Sequence, residues 1–284
     1  EKTDDMMLYQ FSRRWLHHAR VHQPLACQLG LRVKPSLASR APHCPSFSTR
    51  VPSMENKRPH IAFYYDVASP YSWFAFETLV RYEKSKFWEA DFSYHPIFLG
   101  GVMHATGNKP PGRNPAKAKY MVVDLARSAD YFGLDMRMPQ DFERAIMTSL
   151  KAQRLLMAVS LKAPEYLVPL TRELWQRNWG RDEEIESLES LRESCNAVSM
   201  PEGLVVEIIQ LNSDQHIKEA LIKQTNMAVT RGAFGAPSIV VSNVLPDQTK
   251  CHYFFGSDRF HLIARLIGQK WIGPHPDASL HSKL

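Results

Sequence analysis

Asp66-Val67-Ala68-Ser69-Pro70-Tyr71-Ser72-Trp73 is the stretch on which the fold turns. The run leading into it, 60–67, is dense in aromatic and β-branched residues and reads as a strand. Ser69-Pro70 then reads as a helix N-cap followed by proline at the first helical position, where the missing N–H costs nothing. Apolar residues at Trp73, Phe76 and Val80 carry that helix to about Lys84, and a second strand is expected over 91–97. The body of the chain therefore opens β-α-β.

Working outward, Asn114-Pro115 caps a helix that Gly133 stops. Leu150, Leu155, Leu156 and Val159 mark another helix, and 165–179, 184–197, 201–211 and 214–231 read as four more. Strands over 238–242 and 252–255 and a helix over 257–268 close the pattern. Removing the helical block leaves β-α-β then β-β-α, the thioredoxin arrangement. The expectation is an α/β, thioredoxin-like fold with an inserted all-helical domain. Its parts are a leader over 1–57, a first thioredoxin-like part over 58–112, the insert over 113–225 and a second thioredoxin-like part over 226–284.

Charge excludes one class of partner. The chain of 284 residues has a formal charge of +6, but 1–57 hold nine Lys/Arg against four Asp/Glu. The remaining 26 basic and 25 acidic residues nearly cancel, and no basic stripe with interleaved aromatics appears. Nucleic acid is not an expected partner. No run of about 18 apolar residues is present, so no membrane-spanning helix is expected. Cys27, Cys44, Cys195 and Cys251 lie far apart with no C-x-x-C pair, which points to a reducing compartment without a disulfide framework or zinc site. His17, His18 and His22 have metal-like spacing but fall in the leader, and no metal is expected.

In a thioredoxin fold the turn after the first strand carries the C-x-x-C redox pair, at a helix N-terminus that lowers a thiol's pKa. Here both positions are serine, Ser69 and Ser72, so dithiol exchange is excluded at this site. The helix terminus remains an anion site, and a thiolate arriving from outside would meet the Ser69 hydroxyl. Ser69 acting only as a cap fits this motif equally well.

Three further segments bear on the same region. Gly232-Ala-Phe-Gly-Ala236-Pro237 precedes an apolar strand, the place where thioredoxin folds keep a cis-proline that faces the active turn. Phe255-Gly-Ser257-Asp258-Arg259 is expected to open the last helix, with backbone N–H groups for a carboxylate and the Asp258 side chain for an ammonium group. It reads equally well as plain capping. Gly107-Asn108-Lys-Pro-Pro-Gly112 is a stiff polar loop; Asn108 suits a peptide backbone and Lys117 a carboxylate, although a simple turn and a solvated lysine explain them as well. The tryptophans 73, 88, 175, 179 and 271 read as packing residues, and the acidic run 182–186 as a solvated helix start.

Taken together, D-V-x-S-P-Y-S-W, G-N-K-P-P-G, R-E-L-W…W, G-A-F-G-x-P and F-G-S-D-R resemble the kappa class of glutathione S-transferases and the related bacterial 2-hydroxychromene-2-carboxylate isomerases. The resemblance covers about 59–284. It implies glutathione as substrate, no metal, a homodimer and a small electrophilic co-substrate. It further implies Ser69 facing the glutathione sulfur, with Pro70 and Tyr71 in the same contact. Asn108 would touch the tripeptide, and Ala236 before Pro237 would pair with its cysteinyl backbone. Ser257 and Asp258 would hold its γ-glutamyl end. Ala236 departs from the leucine of the kappa pattern, which changes the wall beside the sulfur.

Three functions remain open at this level. The first is a transferase whose bound thiolate attacks aryl halides, with hydroperoxides as side substrates, in detoxification. The second is a glutathione-dependent cis-trans isomerase of the hydroxychromene type. The third is a redox-inactive thioredoxin-fold binding or assembly partner. From Met6 to Ser53 there is no acidic residue while Arg, Ser, Ala and Leu recur, the composition of a mitochondrial transit segment or of a translated upstream extension. The final Ser282-Lys283-Leu284 is a peroxisomal address. Mitochondrial matrix, peroxisome or both are the expected compartments.

Overall fold

The computed structural model describes residues 57–276. The leader with Cys27, Cys44 and its histidines, and the terminal tripeptide, lie outside the described residues. Strands β1 (His60–Tyr65), β2 (Asp91–Pro96), β3 (Ser238–Ser242) and β4 (His252–Phe255) form one four-stranded sheet in the order β2-β1-β3-β4. β1 runs parallel to β2 and antiparallel to β3, and β3 runs antiparallel to β4. The helices are α1 (Pro70–Ser85), α2 (Leu99–Thr106), α3 (Pro115–Phe132), α4 (Phe142–Met147) and α5 (Leu150–Lys162), then α6 (Leu167–Trp175), α7 (Leu188–Ala197), α8 (Glu202–Leu211), α9 (Gln215–Thr230) and α10 (Phe260–Leu266). This is a thioredoxin-like fold with a helical insertion.

β1 is an inner strand of the sheet and is buried on both faces, which is why its sequence is a continuous apolar and aromatic run and does not alternate. Ala62 and Tyr64 pack with Ile97, Val102, Ala228, Ala233 and Val240 on the face covered by α2 and α9. Phe63 and Tyr65 stack 5.3 Å apart on the other face, where Phe76 of α1 and Trp175 of α6 close over Tyr65. Burying a side chain of this size contributes roughly 1.5–3 kcal/mol.

Several expected boundaries move. β1 stops at Tyr65 because Asp66 leaves the ladder to hold the following turn. The helix over 165–179 is three pieces: a 3₁₀ turn at Pro164–Tyr166, then α6, then a π-helical turn at Gln176–Gly180. α7 begins at Leu188 on a Ser187 cap, so the acidic run before it is no solvated helix start. Asp182 pairs with Arg144, Glu183 lies 3.0 Å from Arg181, and Glu184 accepts the Ser187 N–H. α10 begins at Phe260, so Ser257 and Asp258 sit in a turn before the helix and not in its first turn. α2 and α4 have no counterpart in the sequence reading. Residue 225, the expected end of the insert, falls inside α9, and there the Thr225 hydroxyl accepts the Phe98 N–H at 3.0 Å.

Candidate active site

Ser69 is the N-cap of α1, with Pro70 at the first helical position as the sequence implies. Its Oγ accepts the Ser72 N–H at 3.1 Å and donates to the Ala236 carbonyl at 3.3 Å. The second bond is long for O–H···O, whose usual range is about 2.5–3.0 Å. Because proline has no N–H, Tyr71 N is the first donor of the helix, and it has no intrahelical acceptor. The Ala236–Pro237 peptide is cis, as expected, and a second cis bond at Leu245–Pro246 was not foreseen. The Ser72 hydroxyl is buried without a hydrogen-bond partner among the described residues.

The turn is held from three sides. Asp66, fully buried, accepts the Ala68 N–H at 2.9 Å, the Leu99 N–H at 2.7 Å and the Ser149 hydroxyl at 3.0 Å. Burial pushes its carboxyl up to about 6 despite these donors. Gln153 of α5 donates to the carbonyls of Tyr65 (2.9 Å) and Ile97 (2.6 Å), closing the ends of β1 and β2. The indole N–H groups of Trp175 and Trp179 donate to the carbonyls of Ser69 and Val67, each at 3.2 Å. Those two tryptophans are fully buried, but their N–H groups fix the turn as well as fill the core, which the sequence did not reveal. Asp66, Gln153 and the two indoles are thus positioning residues.

The other expected residues fall in two groups. Tyr71, beside Ser69, donates its hydroxyl to Asp124 of α3 at 2.7 Å, and burial with that carboxylate raises its pKa. Asn108 donates to the Phe234 carbonyl at 2.6 Å, and Gly256 N donates to the Pro237 carbonyl at 3.1 Å. So the Asn108 loop, the cis-proline loop and the Phe255–Arg259 segment converge at the end of the sheet where Ser69 lies. A Cβ at Gly235 would stand 2.9 Å from the Phe255 ring, so a larger residue there would have to displace that ring. Lys117 is exposed in the first turn of α3, where its backbone N–H approaches Asn114 Oδ1 at 3.3 Å. No contact ties its side chain to the other expected residues. Ser257 is buried, and Asp258 is exposed with its carboxylate 2.6 Å from Arg259.

A cavity of about 300 Å³ lies between α3 and the start of α10, with Ser257 and Asp258 in its wall. A larger one, about 570 Å³, lies between α1 and Arg137, Arg172 and Arg181, and Ser69 does not line it. Cys195 is buried and its thiol is pushed up to about 12, while Cys251 is exposed; both are free. Among the described residues no three or more His, Cys, Asp or Glu side chains cluster as metal ligands. No described helix is long and apolar enough to cross a membrane.

A thioredoxin-type sheet, a capped helix at its active turn, a facing cis-proline, and serines where a cysteine pair would stand define a thioredoxin-type fold without a dithiol at that turn. Comparison with known proteins places it further. A DSBA-like thioredoxin domain model matches residues 60–268. The chain is 37% identical over 220 residues to human glutathione S-transferase kappa 1, covering 77% of this chain and 95% of that protein. It is also 37% identical over 226 residues to glutathione S-transferase kappa 1 of Caenorhabditis elegans, covering 78% and 95%. The solved structure of a 2-hydroxychromene-2-carboxylate isomerase superposes with a TM-score of 0.59 at 20% identity, covering 74% of this chain and 94% of that one, a likeness of fold. The chain belongs to the DsbA-like thioredoxin family and, within it, to the kappa class of glutathione S-transferases.

Proposed function

We propose that this glutathione transferase holds its substrate's sulfur as a thiolate at Ser69 and directs it at a small electrophile. The observation that carries the reading is the Ser69 hydroxyl. As an acceptor it already caps α1, while its proton reaches only a carbonyl at 3.3 Å. It can turn that proton to an incoming sulfur without giving up the cap, so the capping and thiolate readings are compatible. The free Tyr71 N–H and the helix dipole add to the same stabilisation. Lowering a thiol from about 8.5 by about two pKa units requires roughly 2.7 kcal/mol, within reach of one charge-assisted hydrogen bond and a helix terminus.

In this reading Ala236 pairs with the cysteinyl backbone as an added strand would. Asn108 steadies the loop that carries Ala236, and Ser257 with Asp258 receives the γ-glutamyl end. Lys117 would serve the glycyl carboxylate. The sulfhydryl proton leaves to solvent. With an aryl halide the thiolate forms the C–S bond and halide departs. With a hydroperoxide it attacks the terminal oxygen, giving glutathione sulfenic acid and an alcohol. A second glutathione then yields the disulfide and water. Rate comes from thiolate fraction and proximity, with no covalent bond to the protein.

Calorimetry with glutathione and turnover of a chloronitrobenzene test the proposal in wild type and Ser69→Ala. The variant is expected to keep binding within a few-fold and to lose about 10²-fold in kcat. Equal turnover by both proteins overturns Ser69 as the activating group. Faster conversion of a hydroxychromene carboxylate than of the aryl halide would shift the assignment to isomerase. The same reading carries two further proposals, a homodimer and import into mitochondrial matrix, peroxisome or both. A monomer by sedimentation, or a full-length tagged protein confined to cytosol, would overturn them.

A further inference from the structure

We propose that Arg127 binds the α-carboxylate of the γ-glutamyl end, across the cavity from Asp258. The inference rests on the glutathione reading above and adds a residue that no sequence motif marks.

Arg127 lies on α3, one turn beyond Asp124, and both α3 and the turn before α10 supply walls to the same cavity of about 300 Å³. Asp124, three residues earlier and so on the same helix face, holds the Tyr71 hydroxyl beside Ser69. Phe132 at the end of α3 stacks on Phe74 of α1 at 5.2 Å, and Arg81 donates to the Phe132 carbonyl. This side of α3 is therefore locked against the helix that Ser69 caps. On the opposite wall Gly256 is tied to Pro237, and Asp258 lies at most about 7 Å further along the chain. A tripeptide whose cysteine lies along Ala236 thus directs its γ-glutamyl arm into this cavity.

Charge gives the cavity its specificity. Arg127 is exposed and has neither a hydrogen bond nor an ion pair with any described residue, unlike Arg144, Arg172, Arg177 and Arg181, which all hold carboxylates. Among the described residues the Asp258 carboxylate pairs with its neighbour Arg259, and it is exposed to solvent. An unpaired guanidinium and an open carboxylate in one small cavity match the zwitterion of an α-amino acid, and a guanidinium fork suits a carboxylate bidentately. The class of thiol admitted is one with a free amino-acid end, and a bare cysteinylglycine lacks it.

The test is binding of glutathione and of two analogues to wild type and Arg127→Ala, by calorimetry. 4-Aminobutyryl-cysteinylglycine lacks the α-carboxylate, and glutaryl-cysteinylglycine lacks the ammonium group. Wild type is expected to prefer glutathione over the first by about 10- to 100-fold. Arg127→Ala should bind those two alike while still rejecting the glutaryl analogue, with its thermal midpoint unchanged. Persistence of the carboxylate preference in Arg127→Ala, or its absence from wild type that binds glutathione, overturns the role of Arg127 and leaves the Ser69 reading intact. Wild type that binds no glutathione overturns both.

Discussion

Ser69 and Ser72 occupy the two positions where a redox relative would carry cysteines, and their surroundings divide them. Ser69 both accepts and donates, whereas the Ser72 hydroxyl is buried with no partner. Ser72→Ala is therefore expected to leave turnover unchanged and to raise stability by up to about 1 kcal/mol, read as a higher denaturant midpoint. Asp66 gives a pH signature. Its carboxyl stands at about 6 when folded against 3.8 when free, so the folded protein holds this proton more tightly than the unfolded chain. The associated stability is present below about pH 4 and is lost as pH rises to about 6. Relative to Asp66→Asn, wild type should lose up to about 3 kcal/mol across that window. Urea midpoints at several pH values check this, and parallel curves for the two proteins would refute it.

At the scale of elements, the active turn is assembled by the helices inserted far from it in sequence. Gln153 on α5 satisfies two strand-end carbonyls, so Gln153→Ala is expected to cost about 2–4 kcal/mol by chemical denaturation. Trp175→Phe keeps an aromatic ring and removes only the N–H that reaches Ser69 O, a loss of about 1 kcal/mol. It should raise the pKa of bound glutathione if that bond holds the turn in its working shape. The division between what the sequence displayed and what it concealed follows the same line. The Ser69-Pro70 cap, the Asn114-Pro115 start, the Gly133 stop and the cis Ala236–Pro237 bond are local devices, and each was legible as a short motif. The bonds from Gln153, Trp175 and Trp179 join residues 56 or more positions apart, and nothing in a helical period announces them. Asp124 looked like any polar residue on an amphipathic helix until Tyr71 was placed against it. α2 was hidden because Gly100 and Gly101, poor helix formers, stand in its first turn.

Across the whole described body, the inserted helices are joined to α1 by an ion pair as well as by the aromatic core. Glu77 of α1, whose side chain is 8% exposed, receives both Nε and Nη2 of Arg172 on α6, at 2.7 and 3.0 Å. Arg172→Met would strand a buried carboxylate, and a loss of about 3–5 kcal/mol is expected; pairing it with Glu77→Gln should recover part of that. Thermal or urea melts of the single and double variants measure the recovery, and its absence would show that packing alone joins α1 to α6. The helical block thus does two things for the active turn: it holds the backbone around Ser69, and through α3 it lines the cavity that Ser257 and Asp258 also wall.

The direct test of Ser69 as the thiolate's partner is the ultraviolet titration of bound glutathione against pH, in wild type and in Ser69→Ala. Wild type is expected to ionise the thiol about two pKa units below its free value, and the variant to bind glutathione while returning the titration close to that value. An equally depressed pKa in both proteins would place the stabilisation in the helix terminus alone and contradict the role given to Ser69.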